Sequence, residues 1–147
     1  MRIFVVNGPN LNLLGHREPD VYGYETLEGI EYFIRTRAEQ LDVEVSFFQS
    51  NHEGELIDAI HDHRDCDGLI INPGGLTHTS VALADAIAGV RLPAIEVHLS
   101  NVHAREEFRR HSYISPVSWG QVVGFGYHGY LVALDLLHAR LREDDEA

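Results

Sequence analysis

Short β-branched apolar runs alternate along this chain with stretches of helical periodicity, and this alternation constrains the fold more than any other feature. The runs, which we interpret as five buried strands, are residues 3–6, 43–48, 69–71, 94–97 and 121–123. The helical stripes consist of Leu27, Ile30, Ile34, Ala38 and Leu41; Leu56, Ile57 and Ile60; Leu83, Ile87 and Val90; and Tyr130, Leu134, Leu137 and Leu141. Strands that alternate with helices predict a parallel sheet with helices on both faces.

The number of strands narrows the architecture further. Five strands within 147 residues favour an α/β, flavodoxin-like three-layer sandwich with strand order 2-1-3-4-5, which binds ligands at the carboxyl ends of its strands. A chain of this length has room for one hydrophobic core, so residues 1–147 are predicted to form a single domain. Two segments stand outside the pattern: a connection at 14–24, long enough to form a lid, and an acidic tail at 143–147, expected to be frayed.

Charge and composition argue against several functions. The net charge of −12 disfavours binding to nucleic acids and to anionic membrane surfaces. All eleven basic side chains are arginines, so no lysine can form a Schiff base, anchor pyridoxal phosphate or complete a P-loop. No segment reaches transmembrane length, and the single cysteine, Cys66, cannot form an intrachain disulfide. A cytoplasmic location is the default expectation.

Glu96 and His98 are the most informative pair of residues. They lie two positions apart in a predicted strand and therefore project from the same face. A carboxylate beside an imidazole fixes the tautomer of the ring and favours its charged form, which suits acid–base catalysis; a hydrogen-bonded core histidine is the alternative. Beyond the strand, Ser100 and Asn101 are predicted to cap a new helix, whose free backbone N–H groups would face a small carboxylate ligand.

Polar residues also cluster after two other predicted strands, in segments 7–15 and 72–80. All of these segments follow the carboxyl ends of parallel strands, which meet at one edge of the sheet, and this convergence favours a functional site there. Considered singly, each of the following residues also has an ordinary turn or surface interpretation: Asn10, Tyr22, Asn72, His78 and Arg109.

Two further patterns point to cofactors but are not favoured. Segment 124–129 spells G-x-G-x-x-G, yet it belongs to the last structural unit, and an acidic ribose-binding residue about 20 positions later would fall in the tail. His61, His63 and Cys66 suggest zinc, but residues two apart on a helix diverge. We interpret these histidines as surface side chains and predict neither a dinucleotide cofactor nor a metal.

Segments 7–15, 72–80 and 96–112 together closely resemble the motifs of the type II 3-dehydroquinate dehydratases, and the resemblance extends from about residue 3 to residue 137. It implies a flavodoxin-like enzyme without metal or cofactor. The implied reaction is the dehydration of 3-dehydroquinate to 3-dehydroshikimate, an anti elimination that passes through an enolate.

The resemblance also assigns roles to individual residues. Tyr22 corresponds to the general base, with Arg17 as the cation that activates it. His98 corresponds to the general acid, and Glu96 orients it. Asn10 corresponds to a residue that helps to stabilise the enolate through a bound water.

Substrate binding and assembly follow from the same resemblance. Asp85 lies about 200° around its helix from Leu83 and so points away from its own core; the matching aspartate reaches the substrate pocket of a neighbouring subunit. The implied assembly is a homotrimer, commonly four trimers in a dodecamer. The implied contacts to the substrate hydroxyls and carboxylate are Asn72, His78, the backbone of Leu99 and Ser100, and Arg109.

The sequence departs modestly from the family near the last strand. Trp119, Phe125, Tyr127 and His128 are bulkier than expected, but none replaces a proposed catalytic group. Two competing functions stay open at this point. One is a flavodoxin-like binding or regulatory domain without catalysis, and the other is a dinucleotide-dependent reductase based on the glycine pattern.

Overall fold

All five predicted strands are present in the computed structural model, which describes residues 1–147. The strands are β1 (Arg2–Asn7), β2 (Glu44–Gln49), β3 (Gly68–Asn72), β4 (Ala94–His98) and β5 (Gly120–Val123). They hydrogen-bond in the order β2-β1-β3-β4-β5, and every neighbouring pair is parallel. The number, direction and order of the strands confirm the predicted flavodoxin-like sheet.

Helices cover both faces of this sheet. They are α1 (Pro19–Tyr22), α2 (Leu27–Leu41), α3 (Glu53–Asp62), α4 (Val81–Val90) and α5 (His128–Glu146). Side chains alternate along each buried strand, so Ile3 of β1 belongs to the core beneath α2 and α5, while Phe4 belongs to the core beneath α3 and α4. None of the helices is both long enough and apolar enough to cross a membrane.

Side-chain caps fix where two helices begin. The Thr26 hydroxyl accepts a hydrogen bond from the Gly29 N–H at 3.1 Å, and the Ser80 hydroxyl accepts one from the Leu83 N–H at 2.9 Å. Each cap satisfies a backbone donor of the first turn, which has no partner within the helix. The Ser80 cap also ties the polar segment after β3 to the start of α4.

The segment after β4 differs from the prediction, because no α-helix follows Ser100 and Asn101. Asn101 does cap a turn, accepting a hydrogen bond from the His103 N–H at 3.1 Å, but only the short 3₁₀ helices Val102–Ala104 and Glu107–Arg110 form. Arg105 between them has an extended backbone. The segment buries Val102 but leaves Phe108 60% exposed, so it lacks the apolar stripe that would stabilise an α-helix against the sheet.

The tail predicted at 143–147 belongs to α5, which continues to Glu146. The end of this helix is exposed, as expected of its charge, yet it stays helical. Arg142 and Glu146 are spaced one turn apart and form an ion pair at 3.7 Å. Pairs of this spacing support a helix that already grows from a packed segment.

Candidate active site

A cleft of about 210 Å³ opens at the carboxyl edge of the sheet. This small volume suits a small ligand rather than a large cofactor. Of the eleven residues singled out from the sequence, Glu96 lies buried behind the lining and Asp85 lies elsewhere. The other nine line the cleft: Asn10, Arg17, Tyr22, Asn72, His78, His98, Leu99, Ser100 and Arg109.

Glu96 and His98, termed here the carboxylate–imidazole pair, are almost completely buried, with exposures of 0% and 6%. They project from the same face of β4, as predicted, and His98 Nε2–H donates to Glu96 Oε2 at 2.6 Å. A carboxylate acceptor fixes the tautomer of the ring. His98 Nδ1 has no partner in the protein and is therefore the nitrogen left to meet a ligand.

Three further side chains hold the Glu96 carboxylate. Ser112 Oγ donates to Oε1 at 2.8 Å, Ser115 Oγ donates to the same oxygen at 3.3 Å, and Gln121 Nε2 donates to Oε2. Burial by itself raises the pKa of the Glu96 carboxyl, but hydrogen bonds from His98, Ser112 and Gln121, together with the charge of His98, hold that pKa below its usual value. Glu96 is therefore an ionised buried group whose partners keep it in place.

Tyr22 lies close to two guanidinium groups, and we term Arg17, Tyr22 and Arg105 the arginine–tyrosine cluster. Both guanidinium carbons lie 5.1 Å from the centre of the phenol ring, a cation–π geometry. The Tyr22 hydroxyl has no hydrogen-bond partner in the protein. The connection predicted at 14–24 supplies two members of this cluster and contains the short helix α1.

Arg105 was missed by sequence reasoning. It lies in the segment after β4, where a predicted helix gave no reason to direct it toward a loop more than 80 positions earlier. In the structure its Nη1 donates to Ser100 Oγ at 3.1 Å, which draws the guanidinium into the cleft. The signal available in the sequence was its position inside the 96–112 motif.

The polar wall of the cleft has defined donor and acceptor directions. His78 Nδ1–H donates to the carbonyl of His111 at 2.7 Å, which leaves Nε2 free to accept a hydrogen bond. Burial lowers the pKa of His78 and favours this neutral form. Arg109 is held by Glu106 at 2.7 Å. The backbone N–H groups of Leu99 and Ser100 have no acceptor within the chain.

Two glycines allow the loops after β1 and β3 to touch. A Cβ atom at Gly8 would overlap the backbone of Pro73, and one at Gly74, where φ is +59°, would lie 2.9 Å from the Pro9 carbonyl oxygen. Only glycine fits both positions without moving the loops. This close approach brings Asn10 and Asn72 into the same cleft.

The remaining sequence patterns have structural explanations. Gly124 N–H donates to the His98 carbonyl at 3.1 Å and Gly126 N–H donates to the Leu99 carbonyl at 3.0 Å, so the glycine-rich loop is fastened to the end of β4. No group of three or more His, Cys, Asp or Glu side chains is arranged to hold a metal ion. His61 is exposed, as predicted, whereas His63 is half-buried and its ring stacks on buried Phe4, with 3.7 Å between the ring centres.

Asp85 lies on the exposed face of α4 and does not line the cleft of its own chain. Its predicted direction, away from the core, is confirmed. Leu83 and Ile87 of the same helix are buried.

A flavodoxin-like sheet with a buried carboxylate–imidazole pair and a tyrosine beside two arginines at its carboxyl edge is typical of α/β enzymes that act on a small polar substrate. The family model described as dehydroquinase class II matches residues 1–138. The chain belongs to this family of enzymes, as the three sequence motifs predicted.

Individual relatives agree with this assignment. A 3-dehydroquinate dehydratase of Gloeobacter violaceus is 61% identical over 99% of this chain and 94% of its own length. One of Dinoroseobacter shibae is 57% identical over 100% of this chain and 99% of its own length. The crystal structure of the type II dehydroquinase of Butyrivibrio crossotus superposes with a TM-score of 0.92 and 48% identity, covering 93% of this chain and 97% of that chain.

Proposed function

We propose that this protein, with residues 1–147 as one catalytic domain, removes water from 3-dehydroquinate to give 3-dehydroshikimate by anti elimination through an enolate. The observation that carries the proposal is that one cleft is lined by both the arginine–tyrosine cluster and His98 of the carboxylate–imidazole pair. A tyrosine base and a histidine acid supplied by different elements can act at two positions of one substrate.

Tyr22 is the proposed base. Its phenolate takes a proton from the carbon next to the substrate ketone, and the electron pair of the broken C–H bond moves toward the ketone oxygen to form the enolate. The guanidinium groups of Arg17 and Arg105, each 5.1 Å from the ring centre, stabilise the negative charge on the phenolate. Asn10, at the rim of the loop after β1, supports the enolate oxygen through a water molecule.

His98 is the proposed acid in the second step. The enolate collapses, the carbon–oxygen bond to the leaving hydroxyl breaks, and the imidazolium donates a proton so that water departs. Glu96 accepts from Nε2 at 2.6 Å and so directs Nδ1 toward the leaving group. The buried carboxylate also stabilises the positive charge that His98 carries before the transfer.

The substrate carboxylate binds, in this proposal, to the free N–H groups of Leu99 and Ser100. Its hydroxyls bind to Asn72, His78 and Arg109, which line the same cleft. Neutral His78 accepts through Nε2, and Arg109 donates. Although the net charge of the chain is −12, three arginines line the cleft and make it locally positive, which suits an anionic ligand.

We infer that the active form is a homo-oligomer, a trimer or a dodecamer of four trimers, acting in the cytoplasm. Asp85 is exposed on α4 and would complete the cleft of a neighbouring subunit. Mixing Asp85→Ala subunits with His98→Ala subunits after dissociation and reassembly should restore activity above the sum of the separate variants. A verified mixed oligomer with no gain, although Asp85→Ala alone is impaired, would refute the shared site.

The direct test adds purified protein to 3-dehydroquinate and follows the ultraviolet absorbance of the conjugated product. Activity should survive borohydride in the presence of substrate, because a chain without lysine forms no side-chain imine. No product would leave a binding or regulatory domain as the function. Substrate-dependent inactivation with a covalent mass increase would contradict the enolate route.

A further inference from the structure

A chain of three hydrogen bonds runs beneath the cleft, passes through Tyr130 of α5 and ends at Asn7 of β1. Gly74 N–H donates to Asn72 Oδ1 at 3.2 Å, Asn72 Nδ2 donates to Tyr130 Oη at 2.9 Å, and Tyr130 Oη donates to Asn7 Oδ1 at 2.5 Å. The side chains are buried, with exposures of 3% for Asn72, 0% for Tyr130 and 1% for Asn7. Water cannot replace any of these partners without entering the core.

The direction of every bond in this chain is forced. A backbone N–H can only donate, so the atom of Asn72 that faces Gly74 is the carbonyl oxygen, and the amide nitrogen must face Tyr130. The Tyr130 oxygen then accepts from Asn72, and its own hydrogen goes to Asn7. Burial raises the pKa of Tyr130 far above neutrality, so the phenol keeps this hydrogen.

Asn72 is thereby left with one N–H and one carbonyl lone pair for a ligand in the cleft, each in a known direction. A substrate hydroxyl is both a donor and an acceptor, so it matches this arrangement only while the amide does not rotate. Without the Tyr130 hydroxyl, Asn72 Nδ2 would lose its buried acceptor, and only the longer hydrogen bond from the Gly74 N–H, at 3.2 Å, would hold the amide.

We propose that Tyr130, which does not line the cleft, is a positioning residue for substrate binding, because it fixes the orientation of the Asn72 amide. The proposal rests on the proposed contact between Asn72 and a hydroxyl of 3-dehydroquinate. Tyr130 acts on substrate affinity, not on proton transfer, since its hydroxyl makes no hydrogen bond to the carboxylate–imidazole pair or to the arginine–tyrosine cluster. The effect of losing its hydroxyl should therefore appear in KM.

The experiment is a double-mutant cycle with Tyr130→Phe and Asn72→Ala, read as KM and kcat for 3-dehydroquinate. Loss of one buried hydrogen-bond partner should raise KM by about tenfold in Tyr130→Phe, with kcat within about threefold of the parent. In the Asn72→Ala background the same substitution should change KM by less than about twofold. The amide signals of Asn72 in NMR spectra should shift in Tyr130→Phe.

Two controls separate positioning from general destabilisation. Leu137→Val weakens the same buried face of α5, and Tyr127→Phe removes a hydroxyl that has no hydrogen-bond partner; both should keep the parental KM. If Tyr130→Phe does not fold, Asn7→Ala is the second test. It frees the phenol hydrogen to turn toward Asn72, so KM should again rise.

The outcomes distinguish the two proposals. A parental KM in Asn72→Ala would refute the contact between Asn72 and the substrate, and this inference with it. An impaired Asn72→Ala enzyme with a parental KM in Tyr130→Phe would refute only the positioning role. Equal effects of Tyr130→Phe in both backgrounds would also refute it, because the hydroxyl would then act without Asn72.

Discussion

The carboxylate–imidazole pair and the arginine–tyrosine cluster face the same cleft but are built in opposite ways. Glu96 is fully buried and accepts hydrogen bonds from four side chains, whereas the Arg17 side chain is 35% exposed and the Tyr22 hydroxyl has no protein partner. Cation–π contacts order the cluster, and such contacts are weaker and less directional than charged hydrogen bonds.

Because of this difference, we expect substitutions in the pair to affect both stability and activity, and substitutions in the cluster to affect activity alone. Breaking the pair leaves a buried polar group without partners, so it should cost folding free energy as well as rate. Changing the cluster should cost rate alone, because its side chains are already partly hydrated. The loop that carries Tyr22 can therefore adjust to a ligand without disturbing the core.

The largest effect on kcat is expected from a substitution in the arginine–tyrosine cluster. Tyr22→Phe keeps the ring and removes the hydroxyl proposed as the base, so kcat should fall by roughly a hundredfold or more, while the melting temperature stays within about 2 °C of the parent. Steady-state kinetics and thermal unfolding measure the two quantities. Tyr24→Phe, at a residue that is 77% exposed, is the matched control and should behave as the parent. An activity within about twofold of the parent would remove Tyr22 from the chemistry.

Unlike Tyr22→Phe, Glu96→Gln should lower both kcat and the stability of the fold. The amide places an N–H group among donors, and we expect kcat to fall at least tenfold and the free energy of unfolding to fall by about 1–3 kcal/mol. Urea unfolding measures the second value. Glu107→Gln, at an exposed carboxylate, should change neither. A Glu96→Gln protein of parental stability would mean that the buried network contributes nothing to folding.

Arg17→Gln and Arg105→Gln sharpen the description of the cluster. Each removes one of two cations at equal distances from the Tyr22 ring, so each should lower kcat by about tenfold. Arg110→Gln, at an exposed arginine outside the cleft, serves as the control. If only one of the two variants is impaired, a single cation activates the phenol.

The smallest effect concerns the pH dependence of stability. The pKa of Glu96 is lower in the folded protein than in the unfolded chain, so the unfolded chain binds protons first as the pH falls. The stability that Glu96 contributes is complete above the unfolded pKa of about 4.3 and is lost as the pH falls through the folded value. Between pH 6 and pH 3 the stability difference between the parent and Glu96→Gln should therefore shrink, by about 1 kcal/mol.

Tyr22→Phe is the comparison for this measurement. Its stability should follow the same pH course as the parent, because the cluster adds no buried carboxylate. Parallel urea titrations of the three proteins would decide the matter. A constant difference between the parent and Glu96→Gln at all pH values would show that the folded protein does not depress the pKa of Glu96.

Much of the fold could be predicted because its causes are local. Alternating apolar runs mark strands buried on both faces, and the polar residues that follow them have to meet at one edge. Of the eleven residues selected by this reasoning and by the family resemblance together, nine line one cleft. The identity of the substrate came from the resemblance to a family, since periodicity carries no information about the ligand.

The parts that escaped prediction depend on distant partners. Tyr130 is 58 positions from Asn72 and 123 positions from Asn7, and only the packing of α5 under the sheet brings them together. Gln121 and Ser112 reach Glu96 in the same way. The helix expected after Ser100 failed because capping residues alone do not form a helix without a buried stripe.

The contact between the loops after β1 and β3 sets a limit on how this enzyme can be redesigned. Gly8 and Gly74 leave no space for even one methyl group between the two backbones, so a substitution at either position acts as a wedge. The two loops would then separate and displace both Asn10 and Asn72, and a second substitution at only one of these residues could not restore the cleft. A search for variants that accept other substrates should therefore keep both loop backbones and vary only the side chains that they carry.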